Sequence, residues 1–308
     1  MKINNTAKIA IALSLCFVLL VGCIAAFAMS SGSDDSNSES ASASSLNLDE
    51  DIKIIASSTA IVAICEAMGI DLVGVPDSDL VETPEVYADL PKIGYSMSPD
   101  MELVVQLETE LILSPDTLIS DLQPQYENVN LDYVFMNLRS VQGMFKSIVQ
   151  LGEILDMQEQ ADVLVAEFEA YYEEYKARSV DGEAPTVLLL MGLPGSYVVA
   201  TENSYAGSLV ELAGGVNVYA GTGDEFLTVS TEDMLLKDPD VILLTAHALP
   251  EDVMEMFHEE FETNEIWSHF RAVQEGQVYD LPYDYFGMSA DFDYALGLEF
   301  LDGVFYDS

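Results

Sequence analysis

The imidazole is a scarce metal-binding side chain in this 308-residue sequence, which contains three histidines. His247 directly follows the apolar run at residues 241–245, which reads as a buried strand, and Pro250 fits the first position of a helix after it. In an open α/β sheet, ligands bind beyond the carboxyl ends of the strands. His247 is therefore expected at a ligand-binding edge, although a histidine at a strand end can also be a hydrogen-bonded structural residue.

The thioether of Met97 occupies a comparable position in the first half of the chain. Residues 92–94 read as a short strand, Ser98 can cap a helix, and Pro99 suits the first position of that helix. If the two halves form facing lobes, the thioether and the imidazole meet across a cleft. Methionine with histidine is an established axial pair for haem iron, and it fills both axial positions. Zinc is a poorer fit, because tetrahedral zinc sites use several His, Cys or carboxylate ligands.

The elements that must position these two donors alternate between strand and helix patterns. Candidate strands lie at residues 52–56, 72–75, 111–113, 133–135, 186–191, 197–200, 216–219, 241–245 and 278–281. Alternation of this kind predicts mostly parallel sheets with helices on their faces. The predicted fold class is α/β, with two Rossmann-like lobes joined by one long α-helix.

The predicted lobes are residues 49–142 and residues 181–308, and the connecting helix is residues 143–180. Its apolar periodicity runs from about residue 143 to residue 178 without a proline. A helix–loop–strand pattern at residues 101–115 recurs at residues 231–246, which supports two related lobes. A helical connector predicts only a small closure of the lobes.

The N-terminus resembles a bacterial lipoprotein signal. Two lysines precede an apolar run at residues 9–20, which is too short to span a bilayer comfortably and ends shortly before Gly22 and Cys23. The resemblance implies a signal peptide at residues 1–22 and a lipid on Cys23. Residues 23–48 then read as an acidic, serine-rich tether, which would hold the protein on the extracellular face of the cell membrane.

Composition limits the partners of the protein. The chain has 10 Lys and Arg against 54 Asp and Glu, a formal net charge of −44, so nucleic acid is excluded as a partner. Cys65 is the single cysteine of the predicted mature body, so an internal disulfide is not expected. It lies in an apolar run and reads as a small buried hydrophobic residue.

Several segments resemble the haem receptor lipoproteins of iron-regulated surface-determinant uptake systems. These receptors belong to the helical-backbone class of substrate-binding lipoproteins of ABC transporters. The matching segments are DLVGVPDS (71–78), IGYSMSPD (93–100), MGLPGSYVVATENSYAGSLVELAGGVNV (191–218), AHALPEDVMEMF (246–257) and VYDLPYDYFGMSA (278–290). The resemblance runs from about Ile52 to the last helix.

The resemblance implies that Met97 and His247 are the axial ligands of haem b, carried as a transported ligand. It also implies haem contacts from two loops of the first lobe, and the corresponding residues are Thr59, Ala60, Ser78 and Asp79. Asp79 departs from the family, whose residues there can be aromatic or basic. An acid at this position would repel an anionic propionate unless it points away.

The resemblance further implies capture of haem outside the membrane and delivery to an ABC permease, with no catalytic turnover. Glu66 and Glu202 are the candidate acids for docking to permease arginines. An upstream haem donor protein can precede this step, and a monomer is expected. The alternatives are a binder of an iron-siderophore or a corrinoid, a haem-degrading or redox surface enzyme, and a structural or adhesive surface domain.

Overall fold

Apolar runs that are buried on both faces form the central strands of two sheets in a computed structural model of the chain, which describes residues 52–178 and 184–306. A third, two-stranded sheet is a short hairpin in the first half of the chain. The predicted signal peptide, the Cys23 lipidation site and the tether lie outside the described residues. The strands are β1 (Ile54–Ala56), β2 (Leu72–Gly74), β3 (Gly94–Tyr95), β4 (Ser98–Pro99), β5 (Leu111–Pro115), β6 (Asp132–Met136), β7 (Thr186–Leu193), β8 (Ser196–Ala200), β9 (Val216–Asn217), β10 (Phe226–Leu227), β11 (Val241–Ala246) and β12 (Val278–Asp280).

Helices separate most of these strands along the chain. The helices are α1 (Thr59–Met68), α2 (Met101–Gln106), α3 (Ile119–Asn128), α4 (Val141–Ile154), α5 (Gln158–Lys176), α6 (Tyr205–Leu212), α7 (Thr231–Leu236), α8 (Pro250–Thr263), α9 (Arg271–Gln274) and α10 (Tyr294–Tyr306). Short 3-10 helices occur at Glu85–Tyr87, Asp116–Leu118 and Glu265–His269. The predicted helix–loop–strand repeat is present, as α2 before β5 and α7 before β11.

Each lobe is built around its own sheet. The first sheet has the order β2-β1-β5-β6, and all its neighbouring strands are parallel. The second has the order β10-β8-β7-β11-β12, and β9 also pairs with β7. It is mixed, because β7 and β8 form an antiparallel hairpin whose turn includes Gly195 at φ 80°. The α/β class is therefore confirmed.

Alternate residues of each central strand face different layers. Along β7, Val187 and Leu189 belong to a first core cluster. Leu188 and Leu190 face the other way and pack in a second cluster with α8. A strand buried on both faces needs this near-continuous apolar sequence. The first cluster also contains residues of α1, α4, α5, α6 and α10, so one apolar core runs through both lobes.

The connector between the lobes is two helices, where the sequence pattern predicts one. α4 ends at Ile154, and the 19-residue α5 begins at Gln158. Asp156 between them has φ 56°, a left-handed conformation that no helix interior accommodates. A Cβ at Gly152 would lie 2.9 Å from the Cβ of Ala161, so the missing side chain allows the two helices to meet closely.

Helix α5 is attached to the second lobe by tyrosine hydroxyls. Tyr171 and Tyr175 donate hydrogen bonds to main-chain carbonyls of α10, at 3.1 and 3.2 Å. Tyr172 donates to the carbonyl of the last residue of α6 at 3.4 Å. The ring of Phe168 stacks on that of Phe145 in α4, with centroids 4.5 Å apart. The connector is thus held by hydrogen bonds and by aromatic packing.

Candidate ligand-binding site

His247 lies at the carboxyl end of β11, as the sequence predicts. Its main-chain amide donates to the carbonyl of Gly192 on β7 at 2.9 Å, which fixes the backbone at the sheet edge. The side chain is half-buried, and within the described residues its ring makes no hydrogen bond or ion pair.

The backbone after His247 is strained at a non-glycine residue. Leu249 has φ 49° and ψ 58°, and its side chain is 55 % exposed. Pro250 follows as the first residue of α8, as predicted. Strained non-glycine residues are found at ligand-binding sites more often than elsewhere, since surrounding contacts must maintain them.

Met97 lies in the two-residue turn between β3 and β4, beyond the carboxyl end of β2. Its side chain is 66 % exposed, whereas methionines usually fill cores. The prediction that Ser98 caps a helix beginning at Pro99 is wrong. Both residues form β4. Helix α2 begins at Met101, because the Asp100 carboxylate caps it by accepting hydrogen bonds from the amides of Glu102 and Leu103. Met97 is consequently presented at a hairpin tip.

The loop that holds Ser78 and Asp79 is bonded to this hairpin. The amide of Asp77 donates to the carbonyl of Gly94 at 2.9 Å. The hydroxyl of Tyr95 donates to Oδ2 of Asp79 at 2.8 Å, and this bond raises the pKa of the Tyr95 hydroxyl. The structure thus brings Asp79 into contact with Tyr95, which lies two residues before Met97. The Tyr95 hydroxyl is the hydrogen-bond partner of the Asp79 carboxylate.

Thr59 and Ala60 form the first turn of α1, directly after β1. Ser58 is the N-cap, and its hydroxyl accepts from the amide of Ile61 at 3.4 Å. The first amides of a helix have no partner inside the helix, so those of Thr59 and Ala60 are suited to an anionic group. Thr59 is half-buried and Ala60 is 9 % exposed.

Apolar side chains are exposed beside both candidate donors. Leu80 is 53 % and Val81 is 49 % exposed, and the hydroxyl of Ser78 accepts hydrogen bonds from both of their amides. Tyr95 next to Met97 is 52 % exposed, and Leu249 is exposed on the second lobe. A flat apolar ligand could cover these surfaces.

The two candidate docking acids differ in their surroundings. Glu66 is exposed near the end of α1. Glu202 is half-buried, and its Oε1 accepts a hydrogen bond from the amide of Gly221 at 2.8 Å. Glu202 therefore holds a loop of its own lobe, and the docking role of both acids stays a prediction. Cys65 is buried as predicted, and burial raises the pKa of its thiol to about 12.

An ion-pair cluster between the lobes was missed by the sequence analysis. The guanidinium Nε of Arg139 lies 3.4 Å from Oδ1 of Asp116 in the first lobe and 3.7 Å from Oε2 of Glu225 in the second. Burial raises the pKa of both carboxyls, and the Arg139 charge opposes that rise. The three residues are far apart in sequence, so no spacing pattern could have indicated their contact.

No helix in residues 52–178 or 184–306 is long and apolar enough to cross a membrane. In the same residues, no group of three or more His, Cys, Asp and Glu side chains could hold a metal ion.

Two α/β lobes that are joined by a helical connector, with candidate ligand donors at sheet edges, define a two-lobe substrate-binding protein. The sequence matches the periplasmic binding protein family over residues 54–285, and the chain belongs to this family. The high-affinity heme uptake system protein IsdE of Staphylococcus aureus (strain bovine RF122 / ET3-1) is 37 % identical over 257 residues, which make up 83 % of this chain and 88 % of that protein.

Solved structures agree with the sequence comparison. An ABC transporter substrate-binding protein from Listeria monocytogenes EGD-e has a TM-score of 0.80 at 39 % identity, over 84 % of this chain and 100 % of that chain. Staphylococcus aureus IsdE complexed with heme has a TM-score of 0.77 at 37 % identity, over 83 % of this chain and 99 % of that chain. The resemblance drawn from sequence segments is confirmed, and these relatives are substrate-binding transport proteins, not enzymes.

Proposed function

We propose that this protein binds haem outside the cell membrane and delivers it to an ABC permease, with Met97 and His247 as the two axial ligands of the iron. The observation that carries the proposal is the pair of available donors, one on each lobe. An exposed thioether stands at a hairpin tip, and a half-buried imidazole stands at a strand end. Haem iron takes this pair of ligands in known proteins.

The surroundings of the two donors also suit haem. The exposed apolar side chains of Leu80, Val81 and Leu249 would contact the porphyrin faces. The amides at the start of α1, in Thr59 and Ala60, would hold a propionate. The loop of Ser78 and Asp79 would contact the ligand through its main chain, because both side chains have partners within the first lobe.

The remaining parts of the proposal concern anchoring at the membrane and delivery to the permease. The lipid on Cys23 would keep the protein at the extracellular face of the membrane, where an upstream protein could donate haem. Glu66 and Glu202 are the proposed contacts to the permease. Because both axial positions would be filled, release requires displacement of one ligand, and the thioether of Met97 is the weaker candidate.

The test is an absorption titration with haemin of a fragment that starts at Leu46. Saturation at one haemin per chain with a low-spin spectrum is expected, and Met97→Ala and His247→Ala should each change the spectrum and weaken binding. His258→Ala and Met256→Leu are matched controls. His258 is exposed and pairs with Asp280 at 2.9 Å, and Met256 packs in the second lobe.

Two results would contradict the proposal. Binding that saturates but is unchanged in both variants would place the iron elsewhere. No saturable binding would exclude haem, and iron-siderophores and corrinoids would become the ligands to titrate. Either alternative would keep the same fold without needing the Met and His pair.

A further inference from the structure

The lobes contact each other through charged and main-chain groups beside the end of β6. The amide of Ala290 in the second lobe donates to the carbonyl of Leu138 in the first lobe at 2.7 Å. The next residue, Arg139, lies between Asp116 of the first lobe and Glu225 of the second. A main-chain hydrogen bond and an ion-pair cluster between the lobes are therefore adjacent in sequence.

Both ends of the cluster are attached to rigid backbone. The amide of Arg139 donates to Oδ1 of Asn137 at 3.1 Å, and α4 begins two residues later with Ser140 as its N-cap. On the second lobe, the carbonyl of Glu225 accepts the amide of Thr201 at 3.0 Å, directly after β8. The main chain that carries Arg139 and Glu225 is thus held in place on each lobe.

The cluster is also shielded from solvent. The side chains of Asp116 and Glu225 are 26 % and 19 % exposed, and that of Arg139 is 40 % exposed. Burial weakens screening and makes the removal of one partner costly, because an uncompensated charge stays behind. The separations of 3.4 and 3.7 Å exceed the roughly 2.8 Å of a hydrogen-bonded ion pair, so the cluster joins the lobes through attraction between charges.

We propose that Asp116, Arg139 and Glu225 form an interlobe clasp that opposes separation of the two lobes and protects the main-chain bond between Leu138 and Ala290. The clasp acts as a positioning device, since it fixes the spacing across which a ligand must be held. The clasp does not depend on which ligand the protein carries. Because its test uses the ligand-free chain, the result is independent of the haem proposal.

Amide hydrogen exchange of the full-length, ligand-free chain tests the clasp. Glu225→Gln removes one charge without a change of shape, and it should speed exchange at Ala290 at least about fivefold, which is the low end of measured couplings between sites. The amide of Ile242 is the internal reference, because it donates to Gln277 at 2.9 Å within the second lobe. Its exchange rate should not change.

Three further variants sharpen the result. Asp238→Asn is the matched control, since it removes a carboxylate from an exposed ion pair with Arg271 inside the second lobe. Arg139→Gln should speed exchange at Ala290 at least as much as Glu225→Gln, because it removes the ion pair to Glu225 together with the one to Asp116. Adding Glu225→Gln to Arg139→Gln should have little further effect, because the interlobe pair is already absent. Arg139→Lys should restore part of the protection. Unchanged exchange at Ala290, or equal acceleration at Ile242, would overturn the clasp.

Discussion

The carboxyl of Asp291 is predicted to destabilise the protein at neutral pH, and Asp291→Asn should remove that penalty. Asp291 follows Ala290 and is half-buried ahead of α10. Burial, with lesser contributions from the charges of Asp293 and Asp284, raises its pKa from 3.8 to about 7. Its Oδ1 accepts the amide of Asp293 at 2.9 Å, and an asparagine oxygen can accept the same bond.

The sign of the effect follows from the two pKa values. Below pH 3.8 the carboxyl is protonated in both the folded and the unfolded chain, so it affects stability little. Above pH 7 it is charged in both states, and only the folded state bears the cost of burial. At 1.36 kcal/mol per pKa unit, the rise of about three units corresponds to a loss of at most about 4 kcal/mol in the unfolding free energy. The penalty therefore grows between about pH 4 and pH 7.

Urea unfolding of the wild type and Asp291→Asn at pH 5, 6, 7 and 8 measures this penalty. The gain in unfolding free energy should increase with pH and level off near pH 8. Asp89→Asn is the control, because it removes one exposed negative charge from the same highly acidic chain. If Asp291→Asn raises the unfolding free energy no more than the control does at any pH, burial of the charged carboxyl does not destabilise the protein.

Two further predictions concern transport and anchoring. Glu66→Lys should abolish haem uptake by cells while haemin binding by the purified protein is unchanged, whereas Glu85→Lys, another exposed acid of the first lobe, should leave both intact. Loss of binding in Glu66→Lys would contradict a docking role. Cys23→Ser should move the protein from the membrane fraction to the soluble fraction, and Cys16→Ser should not. Retention of the Cys23 variant in membranes would refute a lipid anchor at that residue.

The elements that could be predicted from the sequence are those that local pattern controls. The apolar run before His247 forms β11, and Pro250 starts α8, because a strand buried on both faces and an N-terminal proline leave clear signals. The resemblance to haem receptors named Ser78 and Asp79 as haem contacts, which stays a prediction, and the structure bonds their loop to the hairpin that carries Met97.

The elements that could not be predicted depend on contacts between distant segments. Nothing in the residues around Asp156 stops a helix, and the break arises where Gly152 allows Ala161 to approach. Ser98 and Asp100 are both good caps, and pairing of β3 with β4 decided between them by placing Ser98 in a strand. The cluster around Arg139 is formed by tertiary packing alone.

The apolar core that runs through both lobes has a consequence for how the chain unfolds. Residues of α1 and β1 in the first lobe and of α6 and α10 in the second belong to the same buried cluster, which the connector helices complete. Neither sheet can lose its packing without exposing apolar surface of the other. We therefore expect the two lobes to melt together in a single calorimetric transition, as one cooperative unit, and neither lobe to fold when expressed alone.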